Sequence, residues 1–125
     1  MRQEYSIFIL SLQFLTRIPV RSDDHYSELR MAEIPRYFPL VGALIGTAGG
    51  AVFLVANELL SLGSAVLVCV AATVALTGAF HEDGLADTFD GVGGGTSKSR
   101  ALEIMRDSRV GTYGTLAVVV ALLLK

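Results

Sequence analysis

Two long stretches of this chain carry no charged side chain: Tyr37 to Asn57, and Leu59 to Phe80. Each is close to the ~20 residues a helix needs to cross a ~30 Å hydrocarbon layer. Only Glu58 separates them, and Ser61-Leu62-Gly63-Ser64 follows with the composition of a turn. One continuous helix would be far longer than a bilayer, so the pattern predicts a helical hairpin with Glu58 at its far end. Hydrophobic residues make up 52% of the chain and charged ones 18%, too apolar a balance for an ordinary soluble domain. The fold class expected is therefore all-α, a polytopic transmembrane helical protein with amphipathic, interfacial helices.

A third apolar run begins near Val110, is interrupted by Gly111 and Gly114, and reaches Leu124. It is short for a crossing, and the chain stops there, so the polypeptide reads as a fragment of something longer. Spans are expected at about 38–57, 60–80 and 112–125, with loops at about 17–36 and 81–111. Arg17, Arg21, Arg30 and Arg36 precede the hairpin, Lys98, Arg100, Arg106 and Arg109 follow it, and its turn has no Lys or Arg. An even number of crossings puts both basic segments on one side, and the positive-inside rule makes that side cytoplasmic. A net charge of −2, with no basic stripe, argues against a nucleic-acid partner.

The first apolar segment, Ile7 to Leu15, lacks a small-residue cleavage site and reads as a retained amphipathic helix, ended by Arg17-Ile18-Pro19. Gly42, Gly46 and Gly50 repeat every four residues, which lets another helix approach closely and leaves room for a homo-oligomer. Cys69 has no second cysteine to pair with and reads as a small buried hydrophobe.

The densest chemistry lies in His81-Glu82-Asp83-Gly84-Leu85-Ala86-Asp87-Thr88-Phe89-Asp90-Gly91. On a helix, Asp83, Asp87 and Asp90 fall within about 60° of one another. Carboxylates so placed repel unless a cation lies between them, and Mg²⁺ takes oxygen ligands that it shares with substrate phosphates. Acids at a helix start also favour the macrodipole, which accounts for Glu82 and Asp83 but poorly for Asp87 and Asp90. Glu82, Asp83, Asp87 and Asp90 are the candidate metal ligands. Gly84 would let a phosphate approach the backbone, whereas His81 points away from the stripe. Gly93-Gly94-Gly95 is expected to break this helix, with Thr96 or Ser97 capping an amphipathic helix after it.

Arg106-Asp107-Ser108-Arg109 is the second candidate group. Two arginines can grip phosphate bidentately while Asp107 orients one of them; the plainer reading is an interfacial face touching lipid headgroups. Arg17 and Arg36 either anchor helix ends at headgroups or reach a polyphosphate.

Phe14-Leu-Thr-Arg-Ile-Pro-Val20, Tyr37-Phe-Pro-Leu-Val-Gly42, the acidic segment, and Glu103-Ile-Met-Arg-Asp-Ser-Arg-Val-Gly111 resemble, in this order, the cobalamin synthase family. These are the adenosylcobinamide-GDP ribazoletransferases of bacteria and archaea, and the resemblance covers nearly the whole chain. It implies a multi-pass inner-membrane enzyme, its active face cytoplasmic, that needs Mg²⁺. Such an enzyme joins adenosylcobinamide-GDP to α-ribazole or its 5′-phosphate and releases GMP, the last step of cobalamin nucleotide-loop assembly. Family members are about twice as long, so the chain looks like an N-terminal half that lacks part of the corrinoid pocket and is expected to be inactive alone.

On that reading Mg²⁺ sits on the acids, Arg106, Arg109, Arg17 and Arg36 bind phosphate, and Asp87, Asp90 and Asp107 are the candidate catalytic carboxylates. Two other readings compete. A CDP-alcohol phosphotransferase would have arginine where Asp87 follows Ala86. Half of a transporter would place its acids near the bilayer midplane, not at the end of a span.

Overall fold

The computed structural model describes residues 2–20 and 25–125; Arg21, one of the basic residues flanking the hairpin, lies outside them. Every regular element among the described residues is helical. The chain divides into two compact units, residues 1–78 and 79–125.

The first unit holds α1 (Arg2–Leu15), α2 (Glu28–Glu33), a short 3-10 turn (Ile34–Tyr37), α3 (Phe38–Leu59) and α4 (Leu62–Thr77). Ser27 caps α2 by accepting the Arg30 amide at 3.2 Å, the bond expected of a serine at that position. Pro35 and Pro39 fall in the first turns of the 3-10 helix and of α3, where the missing N–H costs nothing. The chain therefore runs on as one helix from Glu28 to Leu59.

α1 lays Ile7 and Leu10 on Ile34, with Met31, Tyr37 and Phe38 around them. Ser11 is fully buried. Its hydroxyl lies 2.7 Å from the Ile7 carbonyl and 2.9 Å from that of Ile34, so the polar group is satisfied where water cannot reach it. Phe14 stacks on Phe38 with ring centroids 5.8 Å apart, and the Tyr37 hydroxyl donates to Glu4 at 2.9 Å.

α3 and α4 cover most of the two charge-free runs, with Glu58 in the last turn of α3, and pack as a hairpin. They meet at Gly49, where a Cβ would lie 2.7 Å from Thr73 Cγ2, and the Cys69 thiol donates to the Gly49 carbonyl at 3.2 Å. The four-residue glycine repeat is not the contact: a Cβ at Gly42, Gly46 or Gly50 meets nothing within 4 Å. The hairpin buries the neighbouring face of α3 and leaves that stripe open. Gly49→Leu is accordingly expected to destabilise the hairpin by about 1–3 kcal/mol through overpacking. Gly46→Ala should be neutral or stabilising by up to ~1 kcal/mol. Thermal unfolding of both variants in detergent micelles measures the difference.

The helix from Glu28 to Leu59 contains a stretch of mean hydropathy 2.0 that is only 11% buried, and it is long and apolar enough to cross a membrane. The core helix of a soluble protein would be mostly covered; here Leu40, Leu44, Leu54 and Val55 face outward. α4 has 16 residues and stops before the expected boundary at 80, because Gly78 turns left-handed at φ 68°. Ala79 follows at φ 60°, a conformation that costs a residue with a Cβ roughly 1–2 kcal/mol.

The second unit contains α5 (Phe80–Gly94), α6 (Lys98–Ile104) and α7 (Thr112–Leu123). α7 is the third apolar run and has 12 residues. As expected, the glycine run ends the acid-bearing helix: α5 runs to Gly94 and is capped at Gly95. These glycines are a packing surface. A Cβ at Gly91 would lie 2.6 Å from the Met105 side chain, one at Gly93 2.6 Å from the Tyr113 ring, and one at Gly95 2.8 Å from the Ala101 Cα. α6 and the start of α7 sit on the ground that absent side chains leave. Ser97 caps α6 by accepting the Arg100 amide at 3.3 Å.

Candidate functional site

The candidate site lies in the second unit, where one helix carries the acids and the α6–α7 connection carries the arginines. The N-cap of α5 is Ala79, whose carbonyl accepts the Asp83 amide at 2.8 Å. Glu82 and Asp83 therefore stand in the first turn, where the helix dipole favours negative charge. The packed face of α5 runs through Ala86, Asp90 and Gly91, all buried. The acid stripe straddles the edge of this face, so its members have different fates.

Asp83 is exposed and Asp87 half-buried. They are one helical turn apart on the same face, a spacing of ≈ 5–6 Å between Cβ atoms, and neither is engaged in an ion pair or side-chain hydrogen bond among the described residues. Asp90 is 7% exposed. One of its carboxylate oxygens accepts the Gly111 amide at 2.6 Å and the other the Gly114 amide at 2.8 Å. Glu82 turns to the Lys125 ammonium at 3.2 Å, its side chain 14% exposed, and its second oxygen has no hydrogen-bond partner among the described residues. Burial pushes the Glu82 carboxyl up, but its own backbone amide and Lys125 outweigh that and hold it below the ordinary range.

Among the described residues, no three His, Cys, Asp or Glu side chains gather as a metal-binding group. The four-carboxylate set expected from the sequence is thus divided: Asp90 is turned to the start of α7 and Glu82 to a lysine. The donors that remain, Asp83 and Asp87, fit a hydrated Mg²⁺, which uses one or two carboxylates and takes its other oxygens from water and phosphate.

The arginine segment follows α6. Asp107 and Arg109 form a close pair: the guanidinium contacts the carboxylate at 2.6 Å and 3.1 Å, and the Arg109 amide adds a bond to it at 3.1 Å. Hydrogen bonding from Arg109 holds the Asp107 carboxyl below its ordinary value of 3.8, and the same pairing raises Arg109. A depressed carboxyl pKa means the pair persists as pH falls through the usual carboxylate range and is lost only below it. A carbon-detected titration of Asp107 in micelles is expected to give a midpoint under 3.8 in this chain, returning to the ordinary value in Arg109→Gln. Arg106 is exposed and makes no ion pair among the described residues.

Arg17 and Arg36, the other expected phosphate ligands, belong to the first unit. Arg36 is engaged with Glu33 at 2.8 Å and Glu4 at 3.6 Å. The Arg17 amide donates to the Leu76 carbonyl at 2.8 Å, and its side chain fills the space that a Cβ at Gly78 would need. His81 is exposed and sets its ring edge-on to Phe80.

Sequence reasoning missed the partners of Asp90. A signal existed: α7 has glycine, not Ser, Thr, Asp or Asn, at its N-cap. A helix start without a local acceptor must find one elsewhere. Gly111 and Gly114 are also the only residue type that fits, since a Cβ would lie 2.5 Å from Asp90 Oδ1 at the first and 2.7 Å from the Ala86 carbonyl at the second.

Residues 7–125 match the model of the cobalamin-5-phosphate synthase family. The chain is 50% identical over 124 residues to an adenosylcobinamide-GDP ribazoletransferase of Shewanella amazonensis, covering 99% of this chain and 48% of that protein. A protein of the same name from Vibrio cholerae is 47% identical over 98% of this chain and 47% of its own length. Another, from Leptothrix cholodnii, is 49% identical over 98% and 46%. The chain thus spans about half the length of the curated relatives it matches. No solved structure matches it.

Proposed function

The chain belongs to the cobalamin-5-phosphate synthase family, and from that premise we propose that it is part of an inner-membrane adenosylcobinamide-GDP ribazoletransferase. The reaction is transfer of the cobinamide-phosphate group to α-ribazole, or its 5′-phosphate, with release of GMP. The observation that carries this reading is the family match over residues 7–125, which takes in the acidic segment and the arginine segment together. The outward apolar faces of α3, α4 and α7 support a bilayer around the helices, and the basic segments beside them support a cytoplasmic active face.

Asp83 and Asp87 are the residues that would hold Mg²⁺. Bound there, it supplies neutralisation of the charge on the departing GMP phosphate. The other work belongs to the chain. Arg106, without an ion-pair partner among the described residues, binds a phosphate of the diphosphate, and Arg109 offers a second grip from a guanidinium that Asp107 orients. A ribose hydroxyl that is free in both α-ribazole and its 5′-phosphate attacks the phosphorus that stays with cobinamide; one P–O bond forms, the bond to GMP breaks, and the hydroxyl proton passes to a carboxylate or to water. Asp107, its basicity lowered by Arg109, is a poor proton acceptor, and both oxygens of Asp90 are already occupied by backbone amides. The Asp83–Asp87 pair is the remaining carboxylate group of the segment. Positioning and charge stabilisation supply most of the rate, as in other phosphoryl transfers.

The test is a full-length chimera in which this chain replaces the matching segment of the Shewanella amazonensis relative. It is purified in detergent and supplied with adenosylcobinamide-GDP, α-ribazole and Mg²⁺. GMP release comparable to the unmodified relative is expected; a folded chimera that releases none overturns the proposal.

A further inference from the structure

Asp90 is the one acid of the segment whose two oxygens are both engaged by backbone amides, and those amides belong to the first turn of a different helix. We propose that Asp90 is a positioning residue of the transferase site and not a metal ligand: it caps α7 from α5, and so keeps the arginine segment in register with Asp83 and Asp87. The positioning role rests on the functional reading above; the cap does not.

Reach fixes the register. Arg109 is two residues before Gly111, and two residues of chain span at most about 7 Å. Asp87 is three residues before Asp90 on α5, a rise of about 4.5 Å. While Asp90 holds Gly111, the backbone of Arg109 cannot leave the neighbourhood of Asp87. The holding point is shaped for that purpose. Gly111 and Gly114 leave the space into which the carboxylate fits, and Gly114 lies against the Ala86 backbone, with a would-be Cβ 2.7 Å from its carbonyl. On the next turn of α5, Gly91 receives Met105 from the segment that carries Arg106. A carboxylate at a helix N-terminus also meets the positive end of the dipole, so the acid of this motif nearest α7 is the one that serves as its anchor.

The experiment compares Asp90→Asn, Asp90→Ala and Gly114→Ala. In this chain, in micelles, amide hydrogen exchange is read at Gly111 and, where glycine is kept, at Gly114. In the full-length chimera, kcat, KM for adenosylcobinamide-GDP and the Mg²⁺ midpoint are read per folded molecule. Exchange is expected to quicken at least tenfold in Asp90→Ala and less in Asp90→Asn, which keeps one acceptor oxygen. The specificity constant kcat/KM should fall about 10- to 100-fold in the same order, with the Mg²⁺ midpoint within twofold of the parent. Gly114→Ala, which removes no carboxylate, should reproduce this pattern. A Mg²⁺ midpoint raised tenfold or more in Asp90→Asn but unmoved in Gly114→Ala overturns the proposal in favour of a ligand. Unchanged activity per folded molecule overturns it in favour of a purely structural cap. An unsubstituted chimera that releases no GMP removes the functional reading and the positioning role with it, while faster exchange in the Asp90 variants would then leave the cap alone standing.

Discussion

Asp87→Asn in the full-length chimera is expected to cut kcat by about 10²- to 10³-fold, the cost of removing one well-placed electrostatic contact at a reacting centre, and to raise the Mg²⁺ requirement. The carboxylate is half-buried on α5, one turn from Asp83, and has no competing partner within its unit. Replacing it with an amide leaves size and shape nearly intact and removes the charge. The fold should tolerate the change, since nothing in the second unit is held by this side chain. Metal-dependent turnover at a range of Mg²⁺ concentrations is the measurement. Near-normal kcat with an unmoved midpoint would remove Asp87 from the reaction and leave the acidic segment without a metal role.

Gly84→Ala should separate stability from activity in the opposite direction. Gly84 lies inside α5, between the two acids, and a Cβ there meets nothing within 4 Å. Alanine in a helix interior is favoured over glycine by roughly 1 kcal/mol, so the chain itself should unfold at a higher temperature. A glycine kept at that cost has a use if a phosphate must come close to the backbone beside Asp83 and Asp87. The variant is then expected to raise KM for adenosylcobinamide-GDP about tenfold, the loss of ~1.4 kcal/mol of binding. Higher stability with unchanged KM would show that the diphosphate does not pass this point. Unlike Asp87→Asn, this substitution changes no charge, so the two results bear on different parts of the mechanism.

Hydropathy made α3, α4 and α7 legible, because an apolar run without charges announces itself locally. The acidic helix was legible as a helix and as a source of carboxylates. What the carboxylates do was not. A helical projection gives angles about one axis and no information on which neighbour covers which sector. Asp83, Asp87 and Asp90 share a face, yet α7 covers the part with Asp90 and leaves Asp83 in the open. The pairing of Glu82 with Lys125 is similarly invisible, since the two are 43 positions apart. The glycine run was legible as the end of α5, but its role as a packing surface was not. Low helix propensity agrees with an end at Gly94 and Gly95, yet Met105, Tyr113 and Ala101 pack where side chains at Gly91, Gly93 and Gly95 would have been, a contact that no local signal announces. The converse holds in α3. The repeat Gly42, Gly46 and Gly50 announces close packing, but the hairpin closes one residue away, on Gly49.

The successive left-handed residues Gly78 and Ala79 bear on biogenesis. Helix growth cannot propagate through two such residues, so Leu62–Thr77 and Phe80–Gly94 nucleate as separate cylinders. For a chain threaded into lipid, each cylinder is weighed by its own hydrophobicity. The first carries no charge, and the second keeps its acids out of that reckoning. Were the two fused, every aspartate drawn toward the hydrocarbon centre would add about 2.5–3.5 kcal/mol to the insertion free energy. A short interruption of handedness thus lets a polypeptide commit one stretch to the lipid while sparing its reactive neighbour the same fate.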